Sequence, residues 1–280
     1  MTKQIFSALL VLLSLPAIAQ IPSLSPLTKH WQQVGNTTVT LSYERPAARG
    51  RQVFGGLVSY GKVWRTGAGH CTKIGFSQEV WVNNQAVPAG KYSLFTIPTP
   101  DEWTIILNQD TTLYGSSDYD PNKDIVRFKV PAQPAGRYHE SLTFTLDFVP
   151  DNLECYLTWE NTMIQFSIET STGREVASFV DSLLQAPISK DVNYAWPAEH
   201  LLYNRGDLNK ALELVELHLR VEKGEYPFRM KMEILHHLGY NDQALAVVKQ
   251  AQLWLEDNPM DEQNQAWSLA FWRDWEERLR

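Results

Sequence analysis

The hydrophobic pattern changes its period once along this chain of 280 residues. Up to about residue 170, apolar and polar residues alternate over short runs, as they do on strands with one buried face. The clearest alternation covers residues 142–148, with leucine and phenylalanine on one face and threonine and aspartate on the other. From Ser171 onward, apolar residues recur every three or four positions, which is the period of an amphipathic helix. The pattern predicts an all-β part followed by an all-α part.

Further short runs in the first part predict strands at 38–43, 72–82, 91–97, 103–107, 125–130, 154–159 and 164–168. Turn-forming residues separate them, including Asn83-Asn84, the run from Pro98 to Asp101, a polar loop over 108–124 and a turn at Glu160-Asn161. Many short strands with frequent turns are typical of an antiparallel β-sandwich or barrel. Residues 21–35 are rich in proline and serine, and we predict an irregular lead-in there.

The second part contains an internal repeat. Three pairs of identical residues lie 33 positions apart: Gly206 and Gly239, Ala211 and Ala244, Leu212 and Leu245. Helical pairs with this spacing resemble the tetratricopeptide repeat. Thr172 and Glu175 have the spacing of a helix capping box. We therefore expect a β-sandwich domain over 20–170 and a small tetratricopeptide-like helical domain over 171–280, with the first and last helices as caps.

Residues 1–19 have the pattern of a signal peptide. Lys3 precedes an apolar run from Ile5 to Leu15, and Ala17-Ile18-Ala19 matches the small residues of a cleavage site. This run of about eleven residues is shorter than the ~20 that a membrane-spanning helix needs. We expect cleavage after Ala19, export to the periplasm or outside the cell, and no membrane span after signal cleavage. In that compartment Cys71 and Cys155 either form a disulfide or remain two buried thiols.

Charge is distributed unevenly. The chain has a formal net charge of -7, yet residues 45–78 contain six basic residues and no acidic one. Such a tract indicates either an anion-binding site or ion pairs with acids from elsewhere, of which the 108–124 loop offers several. Residues 207–280 carry 9 basic and 14 acidic residues, a net charge of -5, which argues against nucleic acid as the partner of the tail.

Four ordered motifs carry a family resemblance. They begin at Ser42, Gly50, Val63 and Pro88 and read SYERP, GRQVFG, VWRTGA and PAGKYSLF. Together they resemble a secreted bacterial family named domain of unknown function 2911, over roughly residues 22–170. The family usually continues its third motif with asparagine and an acid, where this chain has Gly69 and His70. The resemblance implies the β fold and the exported compartment, and it implies no particular chemistry.

Arg65 is the leading candidate for ligand binding, because it stands between a tryptophan and small residues that let a ligand approach the backbone closely. A guanidinium there can hold a carboxylate, sulfate or phosphate through two parallel hydrogen bonds. The full set of predicted ligand-binding residues is Arg45, Arg51, Arg65, Thr66, Tyr92 and Trp103. The sequence contains no metal-binding or cofactor-binding motif, so we predict neither a metal nor a cofactor.

Two functions of different classes remain open. The first is a binding module for a small anionic or sugar-like ligand, with a helical tail that binds a partner protein. The second is a hydrolase or lyase acting outside the cytoplasm, in which Arg65 holds an anion while His70 or an aspartate of the 108–124 loop acts as acid or base. No nucleophile–base pair is recognisable in the sequence, which favours the binding module.

Overall fold

The computed structural model describes residues 21–280, so the predicted signal peptide lies outside the described part. Ten strands occupy the first part of the chain. They are β1 Leu27–Val34, β2 Thr37–Glu44, β3 Ala68–Phe76, β4 Val80–Val82, β5 Gln85–Val87, β6 Gly90–Pro98, β7 Glu102–Asn108, β8 Asp124–Pro131, β9 Gln133–Val149 and β10 Asn152–Glu169.

The strands form two antiparallel sheets, as the alternation predicted. The six-stranded sheet has the order β1-β2-β3-β6-β7-β8, and the four-stranded sheet has the order β5-β4-β10-β9. Apolar side chains from both sheets share one buried core that includes Leu41, Ile74 and Leu107 from one sheet and Phe144 and Leu157 from the other. Burying one face of each sheet is the main stabilising contribution of this layered arrangement.

Two local predictions were wrong. The lead-in is irregular only over residues 21–26, because β1 pairs with β2 along its whole length, from Leu27 opposite Glu44 to Val34 opposite Thr37. The turn predicted at Glu160-Asn161 is an irregularity inside the continuous strand β10, where the pairing register with β9 shifts on both sides of Glu160. The extra residues lie in β9, which passes from Thr143 to Pro134 while β10 passes from Thr158 to Thr162, so β9 bulges and β10 continues without a turn.

Six helices follow the sheets, as the change of period predicted. They are α1 Thr172–Gln185, α2 Ala195–Tyr203, α3 Leu208–Val221, α4 Glu225–His237, α5 Asn241–Asp257 and α6 Glu262–Leu279. Gly206 lies in the turn between α2 and α3, and Gly239 lies in the equivalent turn between α4 and α5 with a φ of 81°. Ala211 and Ala244 are fully buried at matching positions of α3 and α5. Assignment to the tetratricopeptide class stays a prediction, as does the division into two domains near residue 170.

The first helices are tied to the sheets by specific contacts. The Thr172 hydroxyl donates to the backbone carbonyl of Val34 at 3.1 Å, and Asn36 donates to the Glu175 carboxylate at 2.9 Å. His200 on α2 lies 3.0 Å from the carboxylate of Asp151, in the turn between β9 and β10. Between residues 21 and 280, no helix combines the length and the apolar character needed to cross a bilayer.

Cys71 and Cys155 are both buried free thiols. Cys155 belongs to the core between the sheets, whereas Cys71 packs with Phe95 and Ile106 in a separate cluster. Burial raises the pKa of both thiols, so the reactive thiolate is scarce near neutral pH. We expect no reaction of the folded protein with a thiol-specific dye at pH 7 and two reactive thiols per chain after denaturation without reductant. Detecting fewer than two after denaturation would indicate a disulfide.

Candidate anion-binding pocket

The loop between β2 and β3, residues 45–67, carries most of the basic tract. Arg49 and Gly50 have φ values of 49° and 72°, which turn the chain sharply through the left-handed region. Carboxylates of the other sheet hold this loop by its backbone. The Arg49 N–H donates to Glu140 at 2.7 Å, and the Val53 N–H donates to Glu160 at 3.3 Å. The two carboxylates therefore position the loop while accepting from its amides.

This loop forms the wall of a pocket with a volume of about 280 Å³, which we call the arginine pocket. Its lining includes Arg49, Arg51, Arg65, Trp64 and Trp159, and it contains no acidic residue. The two indoles are stacked, with ring centroids 5.9 Å apart and an interplanar angle of 22°. The pocket therefore combines three guanidinium groups with an apolar wall.

Backbone carbonyls hold two of these guanidinium groups. Arg49 Nη2 donates to the carbonyl of Leu24 at 2.6 Å. Arg51 donates through Nε to Ala48 at 2.9 Å and through Nη2 to Ala47 at 2.8 Å. Across the described residues, none of the ion pairs involves an arginine of this pocket. Carbonyl oxygens orient a guanidinium without neutralising its charge, so the pocket stays cationic.

Arg65 and its neighbour Thr66 are held at an energetic cost. The Arg65 Nε is buried and has no hydrogen-bond partner, which costs about 1–3 kcal/mol. Thr66 is fully buried with a φ of 58°, an unusual backbone conformation for a β-branched residue. Its hydroxyl lies 3.1 Å from that of Thr96, and its carbonyl accepts from Thr72 at 2.7 Å. Unsatisfied donors and strained backbone both concentrate at functional sites.

Ion pairing between the basic tract and the 108–124 loop was the alternative interpretation, and the structure contains no such pair. Asp110 instead binds Lys123 at 2.8 Å, and these contacts hold the pKa of Asp110 well below its usual range. Asp124 accepts from the Tyr119 hydroxyl at 2.6 Å and lies 3.3 Å from Arg127. Asp110 and Asp124 are therefore occupied by residues of the same loop and of β8, and Asp120 accepts from the backbone N–H of Asn122 at 2.9 Å.

Four predicted site residues lie outside the pocket lining, namely Arg45, Thr66, Tyr92 and Trp103. Arg45 donates to the Leu142 carbonyl and to Thr143 Oγ1, at 3.0 and 2.8 Å, and thereby joins β2 to β9. Tyr92 is buried and donates to the carbonyl of Pro88 at 2.8 Å. Trp103 is only 1% exposed and packs edge-on behind Trp64, with ring centroids 6.2 Å apart. Of the predicted set, the structure brings only Arg51 and Arg65 together in the pocket lining, and Thr66 is buried next to Arg65 in the chain.

His70, the candidate acid or base, is exposed. Its ring packs edge-on against Tyr114 at 5.0 Å, and its backbone N–H donates to Glu44 at 3.1 Å. The imidazole makes no hydrogen bond to a carboxylate in residues 21–280. That range also lacks any group of three or more histidine, cysteine or acidic side chains arranged to hold a metal ion.

Sequence reasoning missed two important lining residues, Arg49 and Trp159. Arg49 belongs to the acid-free tract, so the charge pattern could have identified it. Trp159 comes from β10, more than ninety positions further along the chain, and only the packing of the sheets places it beside Trp64.

The fold and the pocket define a β-sandwich protein with a cationic pocket at its loops and a helical tail. The family model described as "Protein of unknown function (DUF2911)" matches residues 25–168, and the chain belongs to this family. Neither a curated protein nor a solved structure matches the chain.

Proposed function

We propose that this protein is an exported binding module for a small anionic ligand, which the arginine pocket holds. Arg49, Arg51 and Arg65 bind the anionic group. The half-buried indole of Trp64 contacts the apolar part of the ligand, and the buried indole of Trp159 supports it from behind. The helical tail serves as a surface for a partner protein.

One observation carries the proposal, namely three guanidinium groups that line one pocket and take part in none of the ion pairs among residues 21–280. Like charges held close together repel, and the repulsion is relieved when an anion binds between them. Guanidinium groups also bind carboxylate, sulfate or phosphate with matched, paired hydrogen bonds. Carbonyl contacts hold Arg49 and Arg51 in place before binding, which lowers the entropic cost of complex formation.

The geometry gives less support to a hydrolase or lyase. An acid–base pair requires a titratable side chain within hydrogen-bond reach of its partner, and the His70 imidazole contacts Tyr114 instead. Two of the aspartates that the alternative could use, Asp110 and Asp124, bind Lys123, Arg127 and Tyr119. A pocket of this charge therefore supports binding more directly than catalysis.

A thermal-shift comparison of glucuronate with glucose tests the proposal, with sulfate and acetate as further anions. The two sugars differ by one carboxylate, so their difference isolates the charge requirement. At about 100 times the Kd, a ligand of the folded state adds about 2.7 kcal/mol of stability, and Tm rises by several degrees. We expect the shift for anions and none for glucose. Equal shifts for both sugars, or none for any anion, would contradict the proposal.

A further inference from the structure

The arginine pocket does not stand alone on this face of the protein. A second concavity of about 440 Å³, the central pocket, shares Ser25 with it. A third of about 410 Å³, the outer-face pocket, shares Ser42 and Lys73 with the central one. We call the three together the basic trough. The trough begins at the loops beside the sandwich and continues over the outer face of the six-stranded sheet.

The trough is basic at its two ends, whereas Glu44 and Lys73 both line its central pocket. The trough lining contains a single acid, Glu44. It also contains six basic residues, namely Arg49, Arg51, Arg65, Lys29, Lys73 and Lys91. Glu44 accepts the His70 N–H at 3.1 Å, and the ion pairs of residues 21–280 include none of the six. Lys73 is half-buried and donates to the Ser93 hydroxyl at 2.8 Å, which holds its ammonium group on this face. The uncompensated charge favours a ligand with several anionic groups.

An exposed indole lies at the end opposite the arginines. Trp31 on β1 is 64% exposed and lies across from Thr40, and Lys29 is two residues away on the same face. A large exposed aromatic side chain beside polar groups is typical of a ligand-stacking position. The hydroxyls of Thr40, Ser42, Ser23 and Ser25 also line the trough and can exchange hydrogen bonds with a hydroxylated ligand.

The length of the trough excludes a ligand of the size of sulfate or one sugar ring as its full occupant. Thr40 and Glu44 lie four residues apart on β2, a distance of about 13 Å at the usual strand rise. The arginine pocket begins beyond Glu44, whose pairing partner on β3 is Ala68. A ligand that contacts both Trp31 and Arg65 must therefore be a chain.

We propose that the basic trough binds a linear acidic oligosaccharide, with one carboxylate or sulfate in the arginine pocket and a sugar ring stacked on Trp31. This inference rests on the proposed function and names its ligand class. Sugar rings present an apolar face to an indole and hydroxyls to serine and threonine, which suits the mixed lining. A nucleic acid strand suits the trough less. Proteins bind single strands through a series of aromatic side chains, and this protein as a whole is acidic.

Titration calorimetry with uronate oligosaccharides of one, two, four and six units, and with a sulfated series of equal lengths, tests this inference. We expect the Kd to fall at least about 10-fold from one unit to four, because a longer chain adds contacts at Trp31 and Lys73. Trp31→Ala removes this gain and leaves the affinity for the single unit unchanged. Trp196→Ala is the matched control, since Trp196 is 69% exposed on α2 and does not line the trough.

The outcomes distinguish the two proposals. Preference for the uronate or for the sulfated series identifies the anionic group, and either preference supports the inference. The oligosaccharide proposal is overturned if the affinity does not depend on the length of the ligand, or if it is unchanged in Trp31→Ala. In either case, loss of binding in Arg65→Ala would still support the proposal of a small-anion pocket. Absence of binding to every length, the single unit included, overturns both. Tighter binding of single-stranded DNA than of either sugar series overturns the assignment to sugars.

Discussion

Arg65→Ala is expected to weaken anion binding by roughly 30- to 700-fold, which corresponds to about 2–4 kcal/mol of lost affinity. The guanidinium lines the arginine pocket and has neither an ion pair nor a hydrogen bond within residues 21–280. We therefore expect a bound anion to supply the missing partner. The substitution also removes the buried Nε that has no partner, so we expect the free energy of unfolding to stay the same or to rise by up to about 1–3 kcal/mol. Calorimetry with the anion and urea unfolding without it measure the two effects separately.

Two further variants sharpen this test. Arg65→Lys keeps the positive charge but loses the two-pronged geometry, so its affinity should lie between those of the unaltered protein and Arg65→Ala. Lys62→Ala removes one positive charge from the same tract at an exposed position outside the pocket, and it should leave binding nearly unchanged. A loss of 3–5 kcal/mol of stability in Arg65→Ala without any bound anion would mean that Arg65 has a structural role.

Trp103→Ala is expected to destabilise the protein by about 3–5 kcal/mol, as is usual when a buried tryptophan is truncated. Its side chain is 1% exposed and packs edge-on against Phe54 at 4.9 Å and Trp64 at 6.2 Å. The cavity left behind would remove support from Trp64, which lines the arginine pocket. Urea unfolding followed by circular dichroism measures the loss.

Trp103→Phe separates packing from ligand contact, because phenylalanine refills most of the cavity. If Trp103 acts through packing, this variant binds the anion with an unchanged Kd at a moderate cost in stability. A large loss of affinity in a folded Trp103→Phe protein would indicate that Trp103 contacts the ligand. A stability change below about 1 kcal/mol in Trp103→Ala would contradict the packing role.

The predicted site was correct in its region and incomplete in its members. Tyr92 and Trp103 lie on β6 and β7, whose two faces are both covered by apolar groups: the core between the sheets on one side and the cluster around Phe95 and Ile106 on the other. A strand buried on both faces does not alternate clearly, so its sequence does not show which side chains can reach a ligand.

The edge strand β1 shows the opposite difficulty. Polar residues occur on both of its faces, so the run from Leu27 to Val34 lacks the alternation that indicates a strand. Its pairing with β2 supplies the backbone hydrogen bonds that hold it extended. Trp31, which the proposed oligosaccharide site requires, was therefore not among the ligand-binding residues predicted from the sequence.

The sequence by itself determined the two-sheet region, the helical tail, the position of the change between them and the cationic character of residues 45–78. These properties follow from short-range periodicity and composition, and both can be determined from the sequence without knowledge of the fold. Only the tertiary structure decided which partners the arginines have. Arg45 meets the carbonyl of Leu142, and Trp64 meets Trp159, across separations of more than ninety residues. Such pairings depend on how the two sheets stack on each other, which is decided by contacts between residues far apart in the chain.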